Sequence, residues 1–270
     1  MPDLWSDLLA CLDLHPLPAA DDRDTAVFSG PNQSLGYYRV FGGQLLGQFV
    51  RTAQLACPDK AVKSIHALFP REGKPDEEIR YRVQIQHQGR TFATATVLAE
   101  QDSGVVATAS VSLHAPDEGP EQQATAEIGP LLSAEHKAGF DIIPWETRSA
   151  VDLDDTASAP PEFEMWMRTP AAEPALAPAL TAYATDLTLI GTALRPLEGV
   201  CQRGNGTAFR SAVTSHTVWF HRPFRTDDWL LLRQDSPVMA QGRCFGRGDV
   251  FTESGELVAS FAQEAMVRFP

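Results

Sequence analysis

Nothing in this sequence approaches the run of about 18 apolar residues that a membrane-crossing helix needs. Cysteine is scarce. Cys11, Cys57, Cys201 and Cys244 are scattered, with no C-x-x-C pair, so the chain offers neither a disulfide framework nor zinc-ligand spacing, and all four read as buried, reduced thiols. Asp3 and Asp7 stand where a secretory signal would carry basic residues. These absences predict a cytoplasmic protein. Positive charge is also in short supply. With 22 Lys+Arg against 35 Asp+Glu the net charge is −13, which repels phosphate backbones and argues against nucleic acid as a partner. The Gly42-Gly43 pair is followed by neither G-x-G-x-x-G nor a P-loop lysine, so it is not a phosphate-binding loop.

The charge is unevenly spread. Up to Leu194 there are 13 Lys+Arg and 27 Asp+Glu, whereas from Arg195 onward 9 arginines, and no lysine, face 8 acids. Arginine is the better bidentate phosphate ligand, so Arg222, Arg225 and Arg243 are candidates for a small phosphorylated ligand; a solvated face is the plainer reading of the same residues.

At 270 residues and 43% hydrophobic content the chain can bury a sizeable core, in one large domain or two of ordinary size. Residues 3 to 13 read as a short amphipathic helix with Leu4, Leu8 and Leu12 on one side, followed by a polar, proline-containing approach. Gly42 and Gly43 then permit a close backbone approach at the start of a helix whose buried stripe is Leu46, Phe49, Val50 and Ala53. Strands are predicted at Ser64 to Phe69, Ile79 to Gln86, Thr91 to Ala99 and Val105 to Leu113, with turn signals between them. The stretch from Pro116 to Pro161 has the Pro, Ala, Glu, Gln and Asp content of a linker with at most short structure around Ile142 to Glu146, and Phe163 to Arg168 restores an alternating strand.

A second helix is predicted from Leu176, Leu180, Tyr183, Leu187, Ile190 and Leu194, which form one apolar stripe; Asp186 sits at its edge and Pro196 stops it. A strand rich in β-branched and aromatic residues, Ser211 to Pro223, follows. The second half also repeats the first. Phe69 and Phe220 stand 151 apart, Gly89-Arg-Thr-Phe92 recurs as Gly242-Arg-Cys-Phe245, and Asp102-Ser-Gly104 recurs as Glu253-Ser-Gly255. The repeat decides for two domains, each a helix followed by an antiparallel sheet, joined edge to edge. The expected boundaries are 17–116, a linker at 117–159, and 160–270.

Four segments carry a resemblance. Arg39-Val-Phe-Gly-Gly-Gln-Leu-Leu-Gly-Gln48, Tyr183-Ala-Thr-Asp-Leu187, Val218-Trp-Phe-His-Arg-Pro-Phe224 and Leu257-Val-Ala-Ser-Phe-Ala-Gln-Glu264 are similar, in order, to the signature segments of the acyl-CoA thioesterase II (TesB-like) family. The likeness runs from about Leu8 to Arg268. It implies an α+β double hotdog fold, two long helices each wrapped by an antiparallel β-sheet. It also implies hydrolysis of fatty acyl-CoA to free acid and CoA in fatty acid metabolism, with no metal and no organic cofactor, in a homo-oligomer.

The family's Asp on the second helix, Thr or Ser on the next strand and Gln on the last strand hold the attacking water. Carried over, the Asp is Asp186 and the Gln is Gln263, while the hydroxyl position is occupied by Val213. Thr214 and Ser215 follow it and are the candidate replacements. Alternation puts Ser215 on the face of Val213, and Thr214 turns inward only through a bulge. By pattern alone Asp186 reads as a helix-flank aspartate and Gln263 as a sheet-surface glutamine; the matched motifs reverse both readings. Through the repeat, Gln263 corresponds to Ser112 and Asp186 to an apolar residue or glycine near Gly43, so the first half lacks the set. His216 and His221 read as packing or hydrogen-bonded structure, because no Asp or Cys at fixed spacing completes a triad. Two alternatives stay open: a non-catalytic acyl-thioester-binding hotdog protein, on the strength of Val213, and an enoyl-thioester hydratase, which needs a His and an acid on one helix.

Overall fold

The computed structural model describes residues 3–18, 24–124 and 127–270. The polar approach to the glycine pair lies in part outside them. The chain divides into two compact units: Met1–Glu121 with Ile142–Pro144 and Ala175–Ala184, and Gln122–Asp141 with Trp145–Pro174 and Thr185–Pro270.

The first unit holds α1 (Leu4–Leu12), β1 (His15–Leu17), β2 (Thr25–Gly30), α2 (Gly42–Ala56), β3 (Ala61–Leu68), β4 (Ile79–Gln88), β5 (Phe92–Gln101) and β6 (Gly104–His114). Asp3 caps α1 by accepting from the Trp5 and Ser6 amides at 3.0 Å. Leu8, Cys11 and Leu12 are buried, but Leu4 is exposed. The strands run in the order β1-β2-β4-β5-β6-β3, all antiparallel.

Helix α2 packs on the sheet and is buried almost all round: Leu45, Leu46, Phe49, Val50 and Ala53 are buried, and so are Gln44, Gln48 and Thr52. Buried amides need partners, and these have them. Gln48 Nε2 donates to the Cys11 and Pro31 carbonyls, both at 2.9 Å, while its Oε1 accepts from the Tyr81 hydroxyl at 2.5 Å and from Gln44 Nε2 at 3.1 Å. The second glycine of the pair does approach backbone closely. A Cβ on Gly43 would stand 2.5 Å from the Tyr183 carbonyl oxygen, and one on Gly47 3.2 Å from that of Ala179.

Tyr183 and Ala179 belong to α3 (Ala177–Thr185), the first part of the expected second helix. That helix is not continuous. It breaks at Asp186–Thr188 and resumes as α4 (Leu189–Leu194), and the chain passes from the first unit to the second between Ala184 and Thr185.

The second unit adds β7 (Lys137–Ala138), β8 (Glu146–Arg148), β9 (Glu162–Arg168), β10 (Arg210–Phe220), β11 (Leu230–Ala240), β12 (Arg243–Thr252) and β13 (Leu257–Arg268). Its order is β10-β13-β12-β11-β9-β8-β7, again antiparallel, with α4 lying on β9, β11 and β12. Contact with β12 is close enough that a Cβ on Gly246 would collide with the end of Leu189. The stretch expected as a linker is no free tether. Ile128, Leu131 and Leu132 cover an apolar patch of Trp166, Trp229, Leu231 and Phe251, and β7 and β8 extend the sheet edge. Gln123 holds the Leu257 amide, the Gly255 carbonyl and Arg222.

The units share one plan, a strand, a helical segment and four more strands, which is the α+β double hotdog. Their registers locate the repeat more finely than the sequence does. In the first unit Val62 faces Leu113, Ser64 faces Ser112 and Ile65 faces Val111, with a bulge at Lys63. In the second Val213 faces Ala265, Ser215 faces Glu264 and His216 faces Gln263, with a bulge at Thr214. The counterpart of Gln263 is therefore Val111 rather than Ser112, and that of His216 is Ile65. The one-residue difference arises in the β5–β6 and β12–β13 hairpins, where Val105 and Leu257 occupy equivalent positions opposite Glu100 and Phe251.

Candidate active site

Three buried polar side chains converge in the second unit. Asp186 lies in the break between α3 and α4, where its carboxylate is nearly inaccessible to solvent. The break is fixed from outside the helix. The Thr188 hydroxyl, which would ordinarily cap α4, donates instead to Gln234 Oε1 of β11 at 3.1 Å, and Gln234 Nε2 donates to the Thr192 hydroxyl at 2.6 Å. A fully buried amide with both ends satisfied thus ties α4 to the sheet just after Asp186.

His216, on β10, is completely buried. Its Nδ1 stands 2.8 Å from Gln263 Oε1 of β13 and 3.8 Å from Asp186 Oδ1, and its Nε2 stands 2.9 Å from the Thr185 hydroxyl. The Phe261 ring lies parallel to the imidazole, tilted by 7°. Burial lowers the His216 pKa to about 4, against a smaller upward pull from the Gln263 hydrogen bond, so the ring is neutral at pH 7. Gln263 Nε2 is buried and has no hydrogen-bond partner among the described residues. An unpaired buried donor costs about 1–3 kcal/mol, so this amide calls for a partner that the described residues do not supply.

Asp186 and Gln263 are thus brought together, around a histidine that the sequence reading assigned to structure. Thr214 and Ser215 are not brought to them. Thr214 is the extra residue of the bulge, and its hydroxyl donates to the Glu264 carbonyl at 3.1 Å. Residues directly opposite on paired strands share a face. Ser215 lies opposite Glu264, on the other face from Gln263, whereas Val213 lies opposite Ala265 and shares the face of Gln263 and His216. The bulge breaks simple alternation, and with it the expectation that Ser215 shares the face of Val213.

The remaining candidates are engaged elsewhere. His221 Nε2 meets the Ser260 hydroxyl at 3.0 Å, and Ser260 donates to Asp249 at 2.5 Å. Arg222 bonds Gln123, Arg225 pairs with Asp227 at 2.5 Å and Arg243 with Glu264 at 3.0 Å. Arg225 and Arg243 are roughly half exposed, so solvent screens their pairs and they yield readily to a stronger anion. No three His, Cys, Asp or Glu among the described residues are placed to hold a metal ion.

The family profile described as the acyl-CoA thioesterase C-terminal domain matches residues 110–267, and that of the acyl-CoA thioesterase N-terminal domain matches residues 29–114. Acyl-CoA thioesterase 2 of Haemophilus influenzae is 29% identical, covering 100% of this chain and 99% of its own. The human acyl-coenzyme A thioesterase 8 is 26% identical over 98% of this chain and 90% of its own. Among solved structures, an acyl-CoA thioesterase II (TesB2) of Mycobacterium marinum superposes with a TM-score of 0.77 at 28% identity, covering 97% of this chain and 98% of that one. A hot dog fold protein of Alicyclobacillus acidocaldarius, at 16% identity and a TM-score of 0.72 over 97% and 98% of the two chains, shares the fold.

Proposed function

Because the chain belongs to the acyl-CoA thioesterase family, we propose that it hydrolyses fatty acyl-CoA to free acid and CoA, with Asp186 and Gln263 as the residues that act on the water. One observation carries this assignment: a buried carboxylate and a buried amide with an unpaired donor both lie within 4 Å of one ring nitrogen, His216 Nδ1.

In the proposed reaction Asp186 takes a proton from water as the oxygen attacks the thioester carbonyl. Gln263 Nε2 donates a hydrogen bond that holds the reacting oxygen. The tetrahedral intermediate then collapses, the carbon–sulfur bond breaks, and the departing thiolate takes the proton back from Asp186. Water has been added across the bond, and the carboxylate is regenerated.

The four free cysteines support a reducing, cytoplasmic setting, and the family resemblance supports a homo-oligomer acting in fatty acid metabolism. The net charge of −13 weighs against nucleic acid as a partner. A second reading, acyl-thioester binding without turnover, is favoured by Val213 at the family's hydroxyl position. Release of free thiol from acyl-CoAs of graded chain length tests the choice. Turnover supports the hydrolase, whereas saturable binding with no thiol released favours the second reading.

A further inference from the structure

Gln263 has two chemically different ends, and only one of them donates. Its Oε1 faces His216 Nδ1 at 2.8 Å. A carbonyl oxygen only accepts, so the proton at this contact belongs to the ring. The buried ring is neutral and carries a single proton. With that proton on Nδ1, Nε2 is bare and accepts from the Thr185 hydroxyl at 2.9 Å. Asp186 Oδ1, 3.8 Å from the same Nδ1, further favours a proton there. Turning the amide over would set an N–H against an N–H between two fully buried side chains. The tautomer of His216 therefore decides which end of Gln263 faces the ring, and its other end, Nε2, is the one left unpaired.

We infer that His216 is a positioning residue: by donating from Nδ1 to Gln263 Oε1, it holds the glutamine amide with its Nε2–H group turned to the reacting oxygen, as a donor rather than an acceptor. Its catalytic consequence rests on the hydrolase reading above; the orientation itself does not. The equivalent pair in the first unit is Ile65 and Val111, so neither the donor nor the amide it would orient exists there.

Four proteins test the inference by turnover: His216→Leu, His216→Asn, Gln263→Leu and the double variant His216→Leu/Gln263→Leu. Loss of the ring donor lets the amide rotate. His216→Leu should lower kcat about 100-fold, the scale of a 1 Å misplacement, with KM within about twofold. Asn places an N–H near the former Nδ1 and should recover most of the loss. In the Gln263→Leu background, removing His216 should cost nothing more, because the amide it acts through is already gone.

Wild-type turnover by His216→Leu would overturn the inference, as would losses that simply multiply in the double variant. A second readout does not depend on turnover. The imidazole ¹⁵N signals of His216, identified by their absence from His216→Asn, should report a protonated Nδ1 and a bare Nε2 at pH 7; the opposite tautomer overturns the inference. Failure of the hydrolase reading would look different, as a wild-type protein that releases no thiol.

Discussion

Val213 and His216 lie on the same face of β10 although they are three positions apart, because the bulge at Thr214 absorbs one residue between them. An odd separation on a regular strand would set them on opposite faces. Val213 thereby stands on the face of Gln263 as an apolar residue, where the family's hydroxyl is expected.

The first prediction concerns that position. Val213→Thr is nearly isosteric and puts a hydroxyl on the site face, so kcat should rise roughly tenfold, the value of about one hydrogen bond. Ser215→Ala and Thr214→Ala, on residues turned away or committed to Glu264, should leave kcat within about twofold. Steady-state kinetics on one acyl-CoA decides it. An unchanged Val213→Thr rate together with a collapsed Ser215→Ala rate would reverse the assignment.

Much of this was legible in the sequence, and the exceptions have physical reasons. Helix α2 and strands β3 to β6 follow from apolar periodicity, and Asp186 and Gln263 from their motifs. The break at Asp186 was hidden because the apolar stripe runs through it, with Leu187 and Ile190 in phase. What opens the helix is the bond from Thr188 to Gln234, 46 residues away. The bulge at Thr214 likewise depends on pairing with β13. His216 drew little weight because its partners are remote in sequence: Thr185 lies 31 residues before it and Gln263 47 after. β1 and β2 escaped because a short polar segment with prolines carries no alternation strong enough to announce edge strands.

His216 also predicts how stability varies with pH. Unfolded, it titrates near 6.5; folded, near 4. Between these values the unfolded chain binds more protons, so stability is complete above about pH 6.5 and falls as pH drops toward 4, by about 3 kcal/mol. Asp186 is the carboxylate facing it. Urea midpoints from pH 7 to 4.5 should show this loss in the wild type and a shallower one in His216→Asn. Equal slopes would assign the loss to other groups.

Gly43 should tolerate no side chain. A Cβ there would stand 2.5 Å from the Tyr183 carbonyl oxygen and would also collide with the Phe41 ring. Backbone cannot swing aside as a side-chain end can, so Gly43→Ala should cost about 1–3 kcal/mol. Thermal melts measure it; an unchanged Tm would mean that α2 and α3 separate without cost.

Turnover should survive exhaustive chelation, since the proposed chemistry needs only a carboxylate, an amide and water. Loss of activity in EDTA, restored by a divalent ion, would require a metal that the mechanism has no place for.

The central claim is that Asp186 takes the proton from water. Asp186→Asn keeps the size and a hydrogen-bonding oxygen but removes the base. The account predicts a folded protein with acyl-CoA binding retained and kcat lowered by about 100-fold or more, roughly 3 kcal/mol of transition-state stabilisation. An Asn variant that releases CoA at the wild-type rate would contradict it, leaving Asp186 a structural residue of the helix break.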